Sequence, residues 1–146
     1  MTWRDLEDGN AALAAFGAAR LARGPAYLAT VDAEGRPRVH PVTPIVGDGA
    51  LFVFMEPTSP KGRDLVERGA YALHSGVPDT RGSGGEFAVR GDATQVTDAD
   101  RRAAAANAAP YDPADRYVLF ELGVREARCV GYGDVALPSA RAWSAA

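Results

Sequence analysis

The fold is most constrained between Leu51 and Leu65, where Leu-Phe-Val-Phe-Met runs directly into Glu-Pro-Thr-Ser-Pro-Lys-Gly-Arg-Asp-Leu. The apolar, aromatic first part has the pattern of a short buried strand. Glu56, Pro57 and Thr58 end it. Ser59 then stands at a helix N-cap and Pro60 at the first helical position, where a proline's missing N–H would have had no partner. The spacing predicts a helix through Leu65 and Val66 that stops near Gly69. The chain must therefore seat a helix start against the end of a core strand.

A helix start carries free N–H groups and the positive end of the helix dipole, so it attracts anions. Here the N–H groups of Lys61 and Gly62 point outward, Ser59 adds a hydroxyl and Lys61 an ammonium. Lys61 is the only lysine among sixteen Lys and Arg residues, and a compact ammonium does not substitute for a planar guanidinium at a tight site. Alternatively, Ser59 caps the helix and Lys61 is a solvated charge.

At 146 residues the chain fits a single domain, 1–146, with a sizeable core. A net charge of −3 gives no basic footprint for nucleic acid. No apolar run approaches a membrane span, and the acid-bearing N-terminus does not resemble a signal peptide. The lone Cys129 has no disulfide or metal partner and reads as a small buried strand residue. A cytoplasmic location is the expectation.

Residues 1–24 read as a helical segment, with Leu13, Phe16, Ala19 and Leu21 at roughly helical spacing and Gly24-Pro25 as its stop. Strands are predicted at 26–31, 38–46 and 50–55. Pro41 and Pro44 place the second at a sheet edge or beside a bulge that a ligand approaches. After the helix at 60–68 comes a strand at 70–75. The glycine-rich loop 76–85 has no core of its own, which predicts a segment that is mobile or ordered by a ligand or partner. A long strand follows at 86–96, kinked at Gly91. Thr97 then caps a helix to Ala108, with Asp100 at the capping-box position. Residues 117–124 and 128–134 read as a closing hairpin, and the tail 135–146 shows no pattern. The fold class is mainly β with peripheral α-helices, in a closed or partly open antiparallel barrel.

His40 and His74 are too few and too isolated for a zinc site, so no metal is expected. There is no nucleophile elbow and no Walker loop. With no nucleophile or general base in view, chemistry on this scaffold would be carried by a bound cofactor, and no catalytic residue is assigned.

Four segments fall in a telling order: Tyr27-Leu28-Ala29-Thr30-Val31-Asp32, Gly35-Arg36-Pro37-Arg38-Val39-His40-Pro41-Val42, Leu51-Phe52-Val53-Phe54 and Ser59-Pro60-Lys61-Gly62-Arg63-Asp64-Leu65. Together they resemble the pyridoxamine 5′-phosphate oxidase-like superfamily of FMN-binding split barrels. The resemblance implies a six-stranded antiparallel split β-barrel that forms a homodimer, with FMN in the groove between subunits. It implies that Ser59, Lys61 and Gly62 hold the flavin phosphate and that the backbone of His40, Pro41, Val42 and Thr43 runs along the ring. Phe54 and Met55 would line the same groove, and Glu86 would reach the flavin. The departures are Pro60 between the serine and lysine, His40 where true oxidases carry arginine, no lysine near Ile45, and no C-terminal Arg-x-His pattern. These argue against vitamin B6 oxidation. The expected function is flavin-dependent oxidoreduction of an unidentified small molecule. The alternatives are an F420-dependent reductase on the same fold, with Arg36, Arg38 and Arg63 as a groove for the F420 tail, or a non-catalytic flavin or haem carrier with His40 or His74 as haem ligand.

Overall fold

The computed structural model describes all 146 residues. Two N-terminal helices, α1 (Trp3–Gly9) and α2 (Ala11–Leu21), precede strands β1 (Ala26–Val31), β2 (Pro37–Val42), β3 (Ile45–Gly47) and β4 (Ala50–Met55). Helix α3 (Pro60–Arg68) leads into β5 (Ala70–His74) and β6 (Glu86–Val96). Helix α4 (Ala99–Ala108), β7 (Val118–Leu122), β8 (Glu126–Val130) and β9 (Ala142–Ser144) complete the chain. Every strand pairing is antiparallel. The architecture is a split barrel with nine strands rather than the expected six, because short strands flank the barrel proper.

Strand β6 organises the sheet. Along its N-terminal half it pairs with β5 on one edge and β8 on the other; its C-terminal half pairs with β7. Six strands, β2-β1-β5-β6-β8-β9, thus form one curved sheet, and β3-β4-β7 with the end of β6 form the second. Strands β7 and β8 are not the predicted hairpin. They lie in line along one edge of β6, where stepping from Ala93 back to Arg90 takes the partner from Leu122 to Glu126. The extra residue is a β-bulge, which bends β6 from one sheet into the other. The bend needs Gly91, since a Cβ there would lie 2.1 Å from the Gly123 carbonyl oxygen.

Alternation along the strands sets the faces. Ala26, Leu28 and Thr30 of β1, Tyr71 and Leu73 of β5, and Phe87 and Val89 of β6 are buried on the inner face. Helices α1 and α2 close that core, with Trp3 meeting Phe87 edge-on at a centroid distance of 5.9 Å. Asn10 separates the two helices and caps the second by accepting from Leu13 N–H. Gly17 lets α2 approach so closely that a Cβ would sit 2.6 Å from the Phe87 ring. Strand β4 is buried on both faces. Leu51, Val53 and Met55 join the main core, while Phe52 and Phe54 form a second cluster with Ala105 of α4.

Four further expectations are corrected. The strand read as 38–46 is two, β2 and β3, broken at Thr43-Pro44, where the chain turns between sheets. Helix α4 is capped by Asp98, whose carboxylate accepts from Arg101 N–H, rather than by Thr97. Loop 76–85 is fastened from inside the chain. Arg20 donates to the Gly84 carbonyl at 2.8 Å and Arg23 to that of Gly85, while the Asp79 carboxylate accepts from Arg81 and Ser83 N–H. The patternless tail supplies β9 and lays Trp143 on the main core.

Candidate cofactor site

The junction at Ser59 forms as the sequence predicts. Ser59 takes the extended N-cap conformation, but its hydroxyl makes no capping bond. Instead it accepts from Lys61 Nζ at 3.0 Å, which leaves its own O–H without an acceptor in the protein. The N–H groups of Lys61 and Gly62 find no acceptor within the protein. Burial holds the Lys61 ammonium below the ordinary lysine value. No carboxylate pairs with it, and Glu56, the acid that precedes it in the sequence, is held by a two-pronged Arg116 guanidinium.

Strand β2 brings His40 to the same place. In register, His40 lies opposite Leu28 and Arg38 opposite Thr30, so both side chains are on the inner face beside α3. The Asp64 carboxylate of α3, 4% exposed, accepts from Thr30 Oγ1 at 2.7 Å, Arg38 Nε at 2.9 Å and Arg68 Nη2 at 3.3 Å. Burial alone would raise its pKa, but these donors outweigh it and hold the carboxyl below the usual range. The network ties α3 to β1 and β2, and with it Lys61 to the neighbourhood of His40. Arg38 is thereby committed to Asp64. The His40 ring is held below its ordinary pKa by burial and by the charges of Lys61 and Arg38, against a weaker pull from Asp64. Its Nδ1 is shut off from solvent with no hydrogen-bond partner, an arrangement that costs about 1–3 kcal/mol. Ser59 and Lys61 therefore present a hydroxyl, an ammonium and free backbone N–H groups that the protein does not use up, with the His40 ring close enough to feel the Lys61 charge. They fit a phosphate monoester.

The remaining expected residues are distributed differently. Strand β2 is the terminal strand of its sheet, so the backbone from His40 to Val42 lies at an edge with no strand beyond it, and Thr43 follows at the turn. Phe54 and Met55 do not share a face. Met55 lies in the main core near Gly62, whose Cβ would come within 3.2 Å of its sulfur, whereas Phe54 faces α4 beneath the Arg102 guanidinium. Glu86 is on the outer face of the large sheet, 3.7 Å from His74 Nε2, apart from the inner-face trio.

That outer face is the feature that sequence reasoning missed. A groove of about 570 Å³ runs across it over the small side chains Ala29, Ala72 and Ala88, between Tyr27, Val39 and His74. Tyr27 is 48% and Val39 61% exposed. Alternation within β1, β5 and β6 carried the signal, because each strand puts small residues opposite its core-facing ones.

The sequence matches the family described as pyridoxamine 5′-phosphate oxidase over residues 14–130. No curated protein matches it. Among solved structures it is similar to a haem-binding protein from Mycobacterium smegmatis (22% identity, TM-score 0.64), covering 82% of this chain and 55% of that one. A NimC/NimA family protein from Clostridium acetobutylicum has 17% identity and a TM-score of 0.62, over 76% of this chain and 81% of that one. PhzG from Burkholderia lata, solved with tetrahydrophenazine-1-carboxylic acid, has 19% identity and a TM-score of 0.55, over 75% and 70%. At these identities the structural likenesses establish the fold. The family match spans well over half of the sequence, and the chain belongs to the pyridoxamine 5′-phosphate oxidase family.

Proposed function

We propose that the protein binds FMN and acts as a flavin-dependent oxidoreductase on a small molecule other than pyridoxamine phosphate. The observation that carries this reading is the convergence of Ser59, Lys61 and His40, with no protein carboxylate committed to Lys61. Bound FMN supplies hydride and electron transfer. The chain's own residues supply position: the trio holds the phosphate, and the exposed edge of β2 from His40 to Thr43 offers backbone groups to the ring. His40 and Pro60 stand where the true oxidases carry arginine, which supports a different substrate. F420 also carries a phosphate, but Arg38 is engaged by Asp64, which leaves only Arg36 and Arg63 of the three arginines for its acidic tail.

The working unit is a homodimer, with the outer face of the large sheet as its contact surface. An isologous contact must be self-complementary. This face joins an alanine-floored apolar strip to the Arg90–Glu126 and Arg125–Asp92 ion pairs, so both signs of charge are present.

Titration of the purified protein with FMN, followed by flavin absorbance and fluorescence, tests this reading. Lys61→Ala removes a charge-assisted contact and weakens FMN binding by about 10- to 100-fold. Unchanged affinity would refute the phosphate assignment.

One observation favours a second reading, a haem carrier. His74 Nδ1 lies 2.7 Å from the Ser75 carbonyl oxygen. A proton on Nδ1 satisfies that contact and leaves the Nε2 lone pair, 3.7 Å from the Glu86 carboxylate, as the ring's metal-binding position beside the outer groove. The similarity to the M. smegmatis haem-binding protein supports it. A Soret band on haemin titration, lost in His74→Ala, would favour this reading over FMN.

A further inference from the structure

We propose that Arg116 and Glu56 are positioning residues for the cofactor site: their ion pair fixes the turn that delivers Ser59 to it. The inference rests on the FMN reading above and adds what holds that turn in place.

The β4–β7 ladder ends where Met55 pairs with Val118. Beyond it, Glu56 to Ser59 form a turn closed by the Ser59 N–H, which donates to the Glu56 carbonyl at 3.0 Å. Pro57 and Thr58 at its tip are exposed. Of the hydrogen bonds made by residues 56–58, only those on the Glu56 carboxylate reach another segment of the chain. Arg116 supplies all of them. Its Nε donates to the two carboxylate oxygens at 3.1 and 3.0 Å, and its Nη2 donates to Oε1 at 2.5 Å.

Arg116 is presented from backbone that is itself pinned. Arg102 of α4 donates to the carbonyls of Tyr117 at 2.6 Å, Asp115 at 3.2 Å and Ala114 at 3.3 Å. The Tyr117 N–H closes a turn onto the Ala114 carbonyl. The Arg102 guanidinium lies 5.2 Å from the centre of the Phe54 ring, and that of Arg116 lies 5.1 Å from the centre of the Tyr117 ring. A planar fork held this way sets angle as well as distance on a carboxylate. The support runs from α4 through residues 114–117 to Glu56, and across the turn to Ser59, whose hydroxyl accepts from Lys61 Nζ.

The Arg116 and Glu56 side chains are 64% and 45% exposed, and ion pairs of that kind add little to overall stability. Their effect is local, because a binding constellation works only when held to within about 0.5 Å. Loss of the pair should therefore act on the part of the affinity that comes from the phosphate and leave the fold and the flavin ring's own contacts alone.

Fluorescence titration of the wild type, Glu56→Ala, Arg116→Ala and the double variant with FMN and with riboflavin, beside thermal melts, tests this. Each single variant should bind FMN about three- to tenfold more weakly, with riboflavin affinity changed less than about twofold. The double variant should be no worse than either single one, since both remove the same tie. Unchanged FMN affinity in both single variants overturns the proposal. So does an equal loss for FMN and riboflavin, or a collapse of Tm, either of which would make the pair a general structural tie. A loss confined to Arg116→Ala also overturns it, because the freed Glu56 charge would then be the cause. In all these cases the FMN reading stands. Wild-type protein that binds no FMN, or binds it no better than riboflavin, overturns the reading beneath.

Discussion

Asp64→Asn should destabilise the fold by about 2–3 kcal/mol at pH 7. The wild-type carboxylate is 4% exposed and receives three hydrogen bonds, two of them from arginines. Removing one partner of a fully buried ion pair costs about 3–5 kcal/mol. Here the Arg38 and Arg68 side chains are 34% and 29% exposed, so water recovers part of the loss. An amide keeps one acceptor for Thr30 or an arginine, but it directs N–H groups at the remaining donors. For a chain of this length the loss corresponds to roughly 6–10 °C in Tm. The sign with pH follows from the depressed carboxyl pKa. The stabilisation is complete above the unfolded value of about 4 and is lost as pH falls through the lower folded value. Urea denaturation of both proteins at pH 7 and pH 3 should therefore show a gap that narrows on acidification. A gap below about 0.5 kcal/mol at pH 7, or one that widens at pH 3, would refute the argument that this network ties α3 to the sheet.

Gly17→Ala should reverse the ordinary helix preference. In an open helix the change gains about 1 kcal/mol, but here the new Cβ would sit 2.6 Å from the Phe87 ring, and overpacking costs about 1–3 kcal/mol; a raised Tm would contradict the packing described. Arg20→Ala removes the bond to the Gly84 carbonyl and a guanidinium 3.7 Å above the Phe16 ring. It should speed amide exchange and proteolysis within residues 76–85, and wild-type protection there would mean that the loop is held elsewhere.

The parts of the fold that rest on local chemistry were legible in the sequence. The Leu51–Leu65 stretch specified strand, break, cap and helix, because an apolar run, Ser59 and Pro60 each act within a few residues. The free edge of β2 followed from Pro41, which has no N–H to give to a ladder. What depends on register was not legible. Residues 117–134 read as a hairpin because two apolar runs flank a glycine, yet the bulge at Gly123 keeps β7 and β8 on the same edge of β6. The helix cap shifted by one residue because Thr97 and Asp98 are both good caps, and only the helix register chooses between them. The loop at 76–85 looked untethered because its anchors, Arg20 and Arg23, lie some sixty residues earlier. At the site, Ser59, Lys61 and Gly62 were legible as an anion-binding pattern. The enclosed His40 nitrogen and the Asp64 network were not, since both depend on the long-range pairing of β2 with β1 and α3. Phe54 and Met55 looked like neighbours on one groove, but strand alternation sends them to opposite faces.

The most direct test of the account is the affinity of the wild-type protein for FMN beside its affinity for riboflavin, measured at the same pH and ionic strength. The two ligands share the isoalloxazine ring and the ribityl chain and differ by the phosphate. If Ser59, Lys61 and His40 hold that phosphate, FMN should bind at least about 100-fold more tightly, since two or more charge-assisted contacts are gained. Equal affinities, or no binding of either, would contradict the assignment of this trio as a flavin phosphate site.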